Sequence, residues 1–224
     1  MPKFAAGVLK FQNNVFPDNE SLFEKLSHGQ SPEALFITCA DSRIETAMIT
    51  QTGPGELFIC RNAGNIVPPH TNDTDGMTAS IEYAVAVLKV PHIVVCGHSG
   101  CGAMAGAMDM GGLDTIPNVQ QWLMYSRAAV SVVEKLGAGM SDEDKMNLLI
   151  EQNVLLQLQH LRTHPSVAAA IAQGEVELHG WVYNIKSGGV TAYDESENEF
   201  VLVDKKYASA VEKFAAENSH SCNA

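Results

Sequence analysis

Basic residues are scarce: 14 Lys and Arg stand against 26 Asp and Glu, a formal charge of −12 at neutral pH. A chain so acidic repels phosphate backbones and anionic lipid surfaces, and no local cluster of Lys and Arg offsets it, so nucleic acid is excluded as a partner. Long apolar runs are missing as well. Stretches such as Ala84 to Leu88 fall far short of the roughly 18 to 20 residues of a membrane span. Near the N-terminus an apolar run of six residues lies between Lys3 and Lys10. It is too short for a signal-peptide core and has no small-residue cleavage site behind it. The chain reads as a soluble cytoplasmic protein with no membrane partner. Cysteine is sparse and odd in number, at positions 39, 60, 96, 101 and 222, which fits reduced thiols or metal ligands better than a disulfide framework.

What is present is ordinary globular material: 224 residues, 46% of them hydrophobic, enough for one packed core. Four runs rich in β-branched and aromatic residues predict strands at Leu35–Cys39, Glu56–Arg61, His92–His98 and Val176–Ile185. Between them, Thr78 to Leu88 places Ile81, Val85 and Leu88 on one helical face and stops before Pro91; Pro117 to Leu136 and Lys145 to Leu161 read the same way. The sequence Ser141-Asp-Glu-Asp suits a helix start. Nearly continuous apolar strands joined by helical segments predict an α/β fold, a central, mainly parallel β-sheet flanked by helices. Met1 to His28 predicts two helices, an N-terminal arm whose Phe4, Val8, Leu9 and Phe11 have no evident place to bury themselves within the chain. The expected organisation is a single domain over 1–224, with 1–28 as the arm and 204–224 as a frayed tail.

Two of the strands end in unusual chemistry. The first runs into Cys39-Ala-Asp41-Ser-Arg43, and the third into His98-Ser-Gly-Cys101-Gly102. Ligands bind outside the carboxyl ends of strands in open parallel sheets. If the two strands are neighbours, Cys39, His98 and Cys101 converge, and two thiolates with one imidazole form a three-ligand zinc site with its fourth position open for catalysis. Cys60 and Cys96 read as small buried core residues. Asp41 and Arg43 are spaced to pair, the guanidinium fork keeping the carboxylate ionised and in place. That carboxylate would orient a water at the metal, or would itself occupy the fourth position and close the site.

The pair Cys39-x-Asp41-x-Arg43 and His98-x-x-Cys101 resembles the β-class carbonic anhydrases. So do Arg61-Asn-Ala-Gly-Asn65, Ser80-Ile-Glu-Tyr83-Ala-Val and Cys96-Gly-His-Ser, and the match runs from about Phe11 to about Phe200. The chain is most similar to the bacterial branch that resembles plant and cyanobacterial enzymes. The resemblance implies reversible hydration of carbon dioxide to bicarbonate and a proton by zinc-bound hydroxide. It implies one Zn2+ per chain on Cys39, His98 and Cys101, with Asp41 and Arg43 as the orienting dyad. It assigns Gln30 to a substrate hydrogen bond across a dimer interface, Phe58, Ala63 and Tyr83 to the pocket wall, and Gly102 to a backbone N–H near the metal. A homodimer or homotetramer with arms crossing the partner is the implied assembly.

One departure from the family pattern has consequences. Its allosteric members bind bicarbonate in a second pocket framed by a tryptophan three residues before the first zinc cysteine, an arginine and a tyrosine. Here Arg61 and Tyr183 are present but Phe36 replaces the tryptophan, and Phe has no N–H to donate. Trp181 lies nearby but belongs to the fourth strand and is no substitute. The expectation is an open site without a bicarbonate switch. Two other functions fit the same residues: hydrolysis of carbonyl sulfide or carbon disulfide, and a zinc or thiol redox regulator using Cys39 and Cys101. Gly97-His-Ser-Gly-Cys-Gly102 matches neither the dinucleotide nor the P-loop spacing.

Overall fold

A computed structural model describes residues 1–218. Its six-stranded sheet has the order β2-β1-β3-β4-β5-β6, with β1 Ala34–Cys39, β2 Leu57–Asn62, β3 His92–His98, β4 Glu177–Tyr183, β5 Val190–Asp194 and β6 Glu199–Leu202. The first four are parallel neighbours and the last two run antiparallel. The four strands predicted from sequence are all present with ends shifted by up to two residues, and β3 matches at both ends. The edge hairpin β5–β6 was not predicted, because short strands of half-buried residues at a sheet edge leave a weak apolar signal.

All six residues of β1 are buried, as a central parallel strand covered on both faces requires. Leu35 and Ile37 are inaccessible to solvent, each burial contributing about 1.5–3 kcal/mol. The long helix Asp142–Leu161 lies across β3 and β4, with Ile150 and Val154 occupying the space that side chains on Gly97 and Gly180 would need. Its N-terminus is capped by Ser141, whose Oγ accepts from the Asp144 N–H at 3.1 Å. The predicted helix over 78–88 is an α-helix, Gly76–Glu82, followed by a π turn, Tyr83–Val87. The one over 117–136 is broken by a 3-10 turn at Met124–Ser126.

The N-terminal arm consists of helices from Pro2 to Asp18 and from Glu20 to Ser27, and none of their residues is buried. The expected frayed tail is instead helical over Ala208–Asn218; residues 219–224, including Cys222, lie outside the described residues. Among those described, no helix is long and apolar enough to cross a membrane.

Candidate metal centre

The chain leaves β1 to cross to β2 on one side, and β3 pairs with β1 on the other. The crevice between the carboxyl ends of β1 and β3 is therefore a topological switch point. Cys39 is the last residue of β1 and His98 the last of β3. Gly100, at φ +63°, permits the left-handed turn that brings Cys101 back beside them. The ligand atoms of Cys39, His98 and Cys101 lie within 4.8 Å of one another, and all three residues are buried. The two sulfurs are 4.0 Å apart, close to the roughly 3.8 Å that tetrahedral zinc with bonds of about 2.3 Å to sulfur requires.

The imidazole is fixed by its neighbour. The Nδ1 of His98 is 3.1 Å from the Ser99 carbonyl, an oxygen that can only accept, so Nδ1 carries the hydrogen and Nε2 presents a lone pair. That Nε2 is fully buried and has no hydrogen-bond partner. An orphaned acceptor in a dry site is costly, and coordination of a cation by the two sulfurs and Nε2 removes the cost. The residues therefore fit a thiophilic, imidazole-binding metal.

The sulfurs titrate as a pair. The Cys101 S–H and the Gly64 N–H, 3.4 Å from Cys39 Sγ, hold the Cys39 thiol well below its ordinary pKa, while the Cys39 anion pushes Cys101 up. Gly64 sits at φ +85°, and a Cβ there would come 2.9 Å from Met104 Cε, so a side chain would displace the donor. Its carbonyl accepts from Asn153 Nδ2 at 3.1 Å. Asn153 Oδ1 in turn accepts from Ser126 Oγ and Gln157 Nε2, each at 2.8 Å.

Asp41 and Arg43 form the predicted pair in bidentate fashion. Arg43 Nε donates to Oδ1 at 2.9 Å and Nη2 to Oδ2 at 2.7 Å, while the Arg43 backbone N–H also donates to Oδ1 at 2.9 Å. These bonds hold the Asp41 carboxyl far below the usual carboxylate range. Nη2 is braced by the Gly100 carbonyl at 3.1 Å. Asp41 Oδ2 comes 3.9 Å from His98 Nε2, so the ionised carboxylate faces the cluster while both its oxygens are engaged by Arg43.

Arg61 has a use that the sequence reading missed. Its Nε donates to the Cys39 carbonyl at 3.1 Å, and its Nη2 to the carbonyls of Asp41 and Ile44 at 2.8 Å each. From β2 it thus clamps the loop that carries the dyad. The phrase Arg61-Asn-Ala-Gly-Asn65 stood out in the sequence, but nothing there reveals main-chain targets. The residues around this loop match a family profile described as carbonic anhydrase over 34–190. The chain belongs to the β-carbonic anhydrase family. A carbonic anhydrase of Pseudomonas aeruginosa is 47% identical over 87% of this chain and 88% of its own. The solved structure of the β-carbonic anhydrase CcaA superposes with a TM-score of 0.88 at 40% identity, covering 90% of this chain and 98% of that one. One described among two tetrameric β-carbonic anhydrases of Sordaria macrospora gives 0.68 at 37%, over 85% and 92%. Membership makes this chain a lyase of the carbonic anhydrase class, acting on carbon dioxide.

The remaining predicted site residues divide into two groups. Ala63 and Gly102 adjoin the cluster: the Ala63 carbonyl accepts from Trp122 Nε1 at 2.9 Å beside Gly64, and Gly102 opens the helix after Cys101. Gln30, Phe58 and Tyr83 do not adjoin it within one chain. Gln30 is exposed before the start of β1, about 20 Å along the strand from its carboxyl end. Phe58 pairs with Leu35, four positions short of Cys39, and its ring lies 6.0 Å from that of the exposed Tyr83. Phe36 packs edge-on against Trp181, centroids 6.0 Å apart. Cys60 and Cys96 are buried, as expected.

Proposed function

We propose that this chain catalyses the reversible hydration of carbon dioxide to bicarbonate and a proton, with Zn2+ held by Cys39, His98 and Cys101. The observation that carries the reading is the buried, unpartnered Nε2 of His98 facing two sulfurs, with an ionised carboxylate 3.9 Å away. Zinc bound there supplies Lewis acidity that lowers the pKa of a coordinated water toward neutrality.

The protein groups do the rest. Asp41, turned by Arg43, accepts a hydrogen bond from the reacting water and aims its lone pair at carbon dioxide. Arg43 keeps Asp41 ionised and, with both carboxylate oxygens engaged, away from the metal position, so the site is open. Ala63 and the Gly102 N–H line the substrate pocket beside the ligands. Gln30, Phe58 and Tyr83 complete a neighbouring subunit's pocket. Two features support that assembly as a homodimer or homotetramer: no side chain of the arm is fully buried in its own chain, and Gln30 lies far from its own cluster. The single domain spans 1–224, with residues 1–28 as the crossing arm. Free thiols at the four described cysteines support a reducing, cytoplasmic setting.

The absence of a bicarbonate switch has support as well. The Nε and Nη2 of Arg61 are committed to three carbonyls, and Phe36 offers only a ring where an indole N–H would stand.

Stopped-flow carbon dioxide hydration on protein of known zinc content tests the reading. The expected result is a rate proportional to bound zinc. Zinc-replete protein without hydration activity would overturn it, and product analysis with carbonyl sulfide and carbon disulfide would then identify the substrate.

A further inference from the structure

At the end of the sheet opposite the cysteine cluster, β3 and β4 start side by side, His92 paired with Glu177. His179, two residues along β4, points to the same face as Glu177. His92 Nδ1 is 3.2 Å from His179 Nε2, and Glu177 Oε2 is 3.9 Å from each of those nitrogens. The three ligand atoms lie within 4.8 Å of one another. Along β3 this point is six residues from His98, about 20 Å.

The imidazole of His179 is oriented from behind. Its Nδ1 is 3.1 Å from Tyr207 Oη, which also receives the Trp181 indole N–H at 3.1 Å. With a metal on Nε2 the ring hydrogen lies on Nδ1, and Tyr207 Oη is placed to accept it. Metal-binding histidines are held in this way, the second ring nitrogen donating to a fixed oxygen. The nearby Lys206 is paired with Asp194 at 3.3 Å.

We propose that His92, Glu177 and His179 form a second divalent-metal site of the zinc class, distinct from the cysteine cluster. Tetrahedral zinc with bonds of 2.0–2.1 Å to nitrogen needs about 3.3 Å between ligand nitrogens, and the two imidazoles already stand at 3.2 Å. Glu177, exposed and free to rotate, closes the longer gap. Imidazole with carboxylate suits zinc, and nickel or copper in competition, rather than calcium or magnesium. Both rings coordinate as neutral imidazoles, His179 through Nε2 and His92 through Nδ1. The site faces solvent and a cavity of about 440 Å³ bordered by Trp181 and Tyr207.

Equilibrium dialysis of the zinc-loaded enzyme against micromolar free zinc reads the stoichiometry. Wild type should take up an additional equivalent that His92→Gln and Glu177→Gln lose, both exposed positions whose replacement leaves the fold and the hydration rate intact. Cys39→Ser should show the converse, losing the cluster's zinc and keeping this one, so failure of either assignment is visible separately. Nickel added to zinc-loaded wild type should quench Trp181 emission, and His92→Gln should abolish that quenching. No additional equivalent in wild type, or one retained in His92→Gln, would overturn the site; so would undiminished quenching in that variant.

Discussion

Asp41 and Arg43 are locked to each other by two side-chain hydrogen bonds and one main-chain bond, while the carboxylate still faces His98. Two residues apart in sequence, they form one unit: the guanidinium determines both the charge and the direction of the acid.

Asp41→Asn tests that unit. The amide is nearly the same size but turns either a donor toward Arg43 or its only acceptor away from the water, and no proposed ligand is changed. Zinc content should stay near wild type while turnover falls about 10–100-fold, measured by stopped-flow hydration with parallel metal analysis. Undiminished turnover would remove Asp41 from the mechanism.

Arg61→Lys replaces a planar fork with a single ammonium. At least one of the carbonyls of Cys39, Asp41 and Ile44 then loses its donor, a cost of about 1–3 kcal/mol for a group kept from water. A lowered urea midpoint is expected, together with a loss of turnover under conditions where the variant is fully folded. A variant with wild-type midpoint and turnover would show the clamp to be dispensable.

His160 and His164 tie the segment after β2 to the helical layer, the first through the Val67 carbonyl at 2.7 Å and the second through the Pro68 carbonyl at 2.9 Å. Burial lowers both pKa values. The unfolded chain therefore takes up protons first as pH falls. Their contribution to stability is complete above the ordinary histidine value of about 6.5 and is lost as pH falls from there through the lowered folded values. Urea midpoints should drop between pH 7.5 and 5.5, and His164→Gln should flatten the dependence. An equally steep dependence in that variant would assign it to other groups.

Deletion of residues 1–28 removes a segment with no buried side chain in its own chain. Light scattering should show a smaller assembly than the full chain, with the truncated protomer retaining its sheet by circular dichroism. An unchanged assembly would place the subunit contacts elsewhere.

Strands with strong local patterns were legible in the sequence, β1 and β3 above all, because burial on both faces makes them continuously apolar. The edge hairpin β5–β6 was not, since half-exposed strands of four or five residues resemble loops. In the site, spacing was enough to pair Asp41 with Arg43, whereas the convergence of Cys39, His98 and Cys101 depended on β1 and β3 being neighbours, which the sheet order supplies. The roles of Arg61 and Gly64 were not legible, because they act on main-chain atoms and on one sulfur, and contacts of that kind have no sequence spacing. The assignments of Gln30, Phe58 and Tyr83 came from family resemblance, and a single chain does not bring them to the cluster. His92, Glu177 and His179 escaped notice because their proximity arises only from the pairing of two strands 85 residues apart in register.

Because Arg61 grips the loop after β1 only by carbonyl oxygens, it is indifferent to which side chains that loop displays. The side chains of the dyad hold the backbone too, since Asp41 Oδ1 accepts from the Arg43 N–H and Arg43 reaches the Gly100 carbonyl. Position 42, which takes no part in those contacts, is therefore where the loop's chemistry can be varied beside the same three ligands on an unchanged main-chain frame.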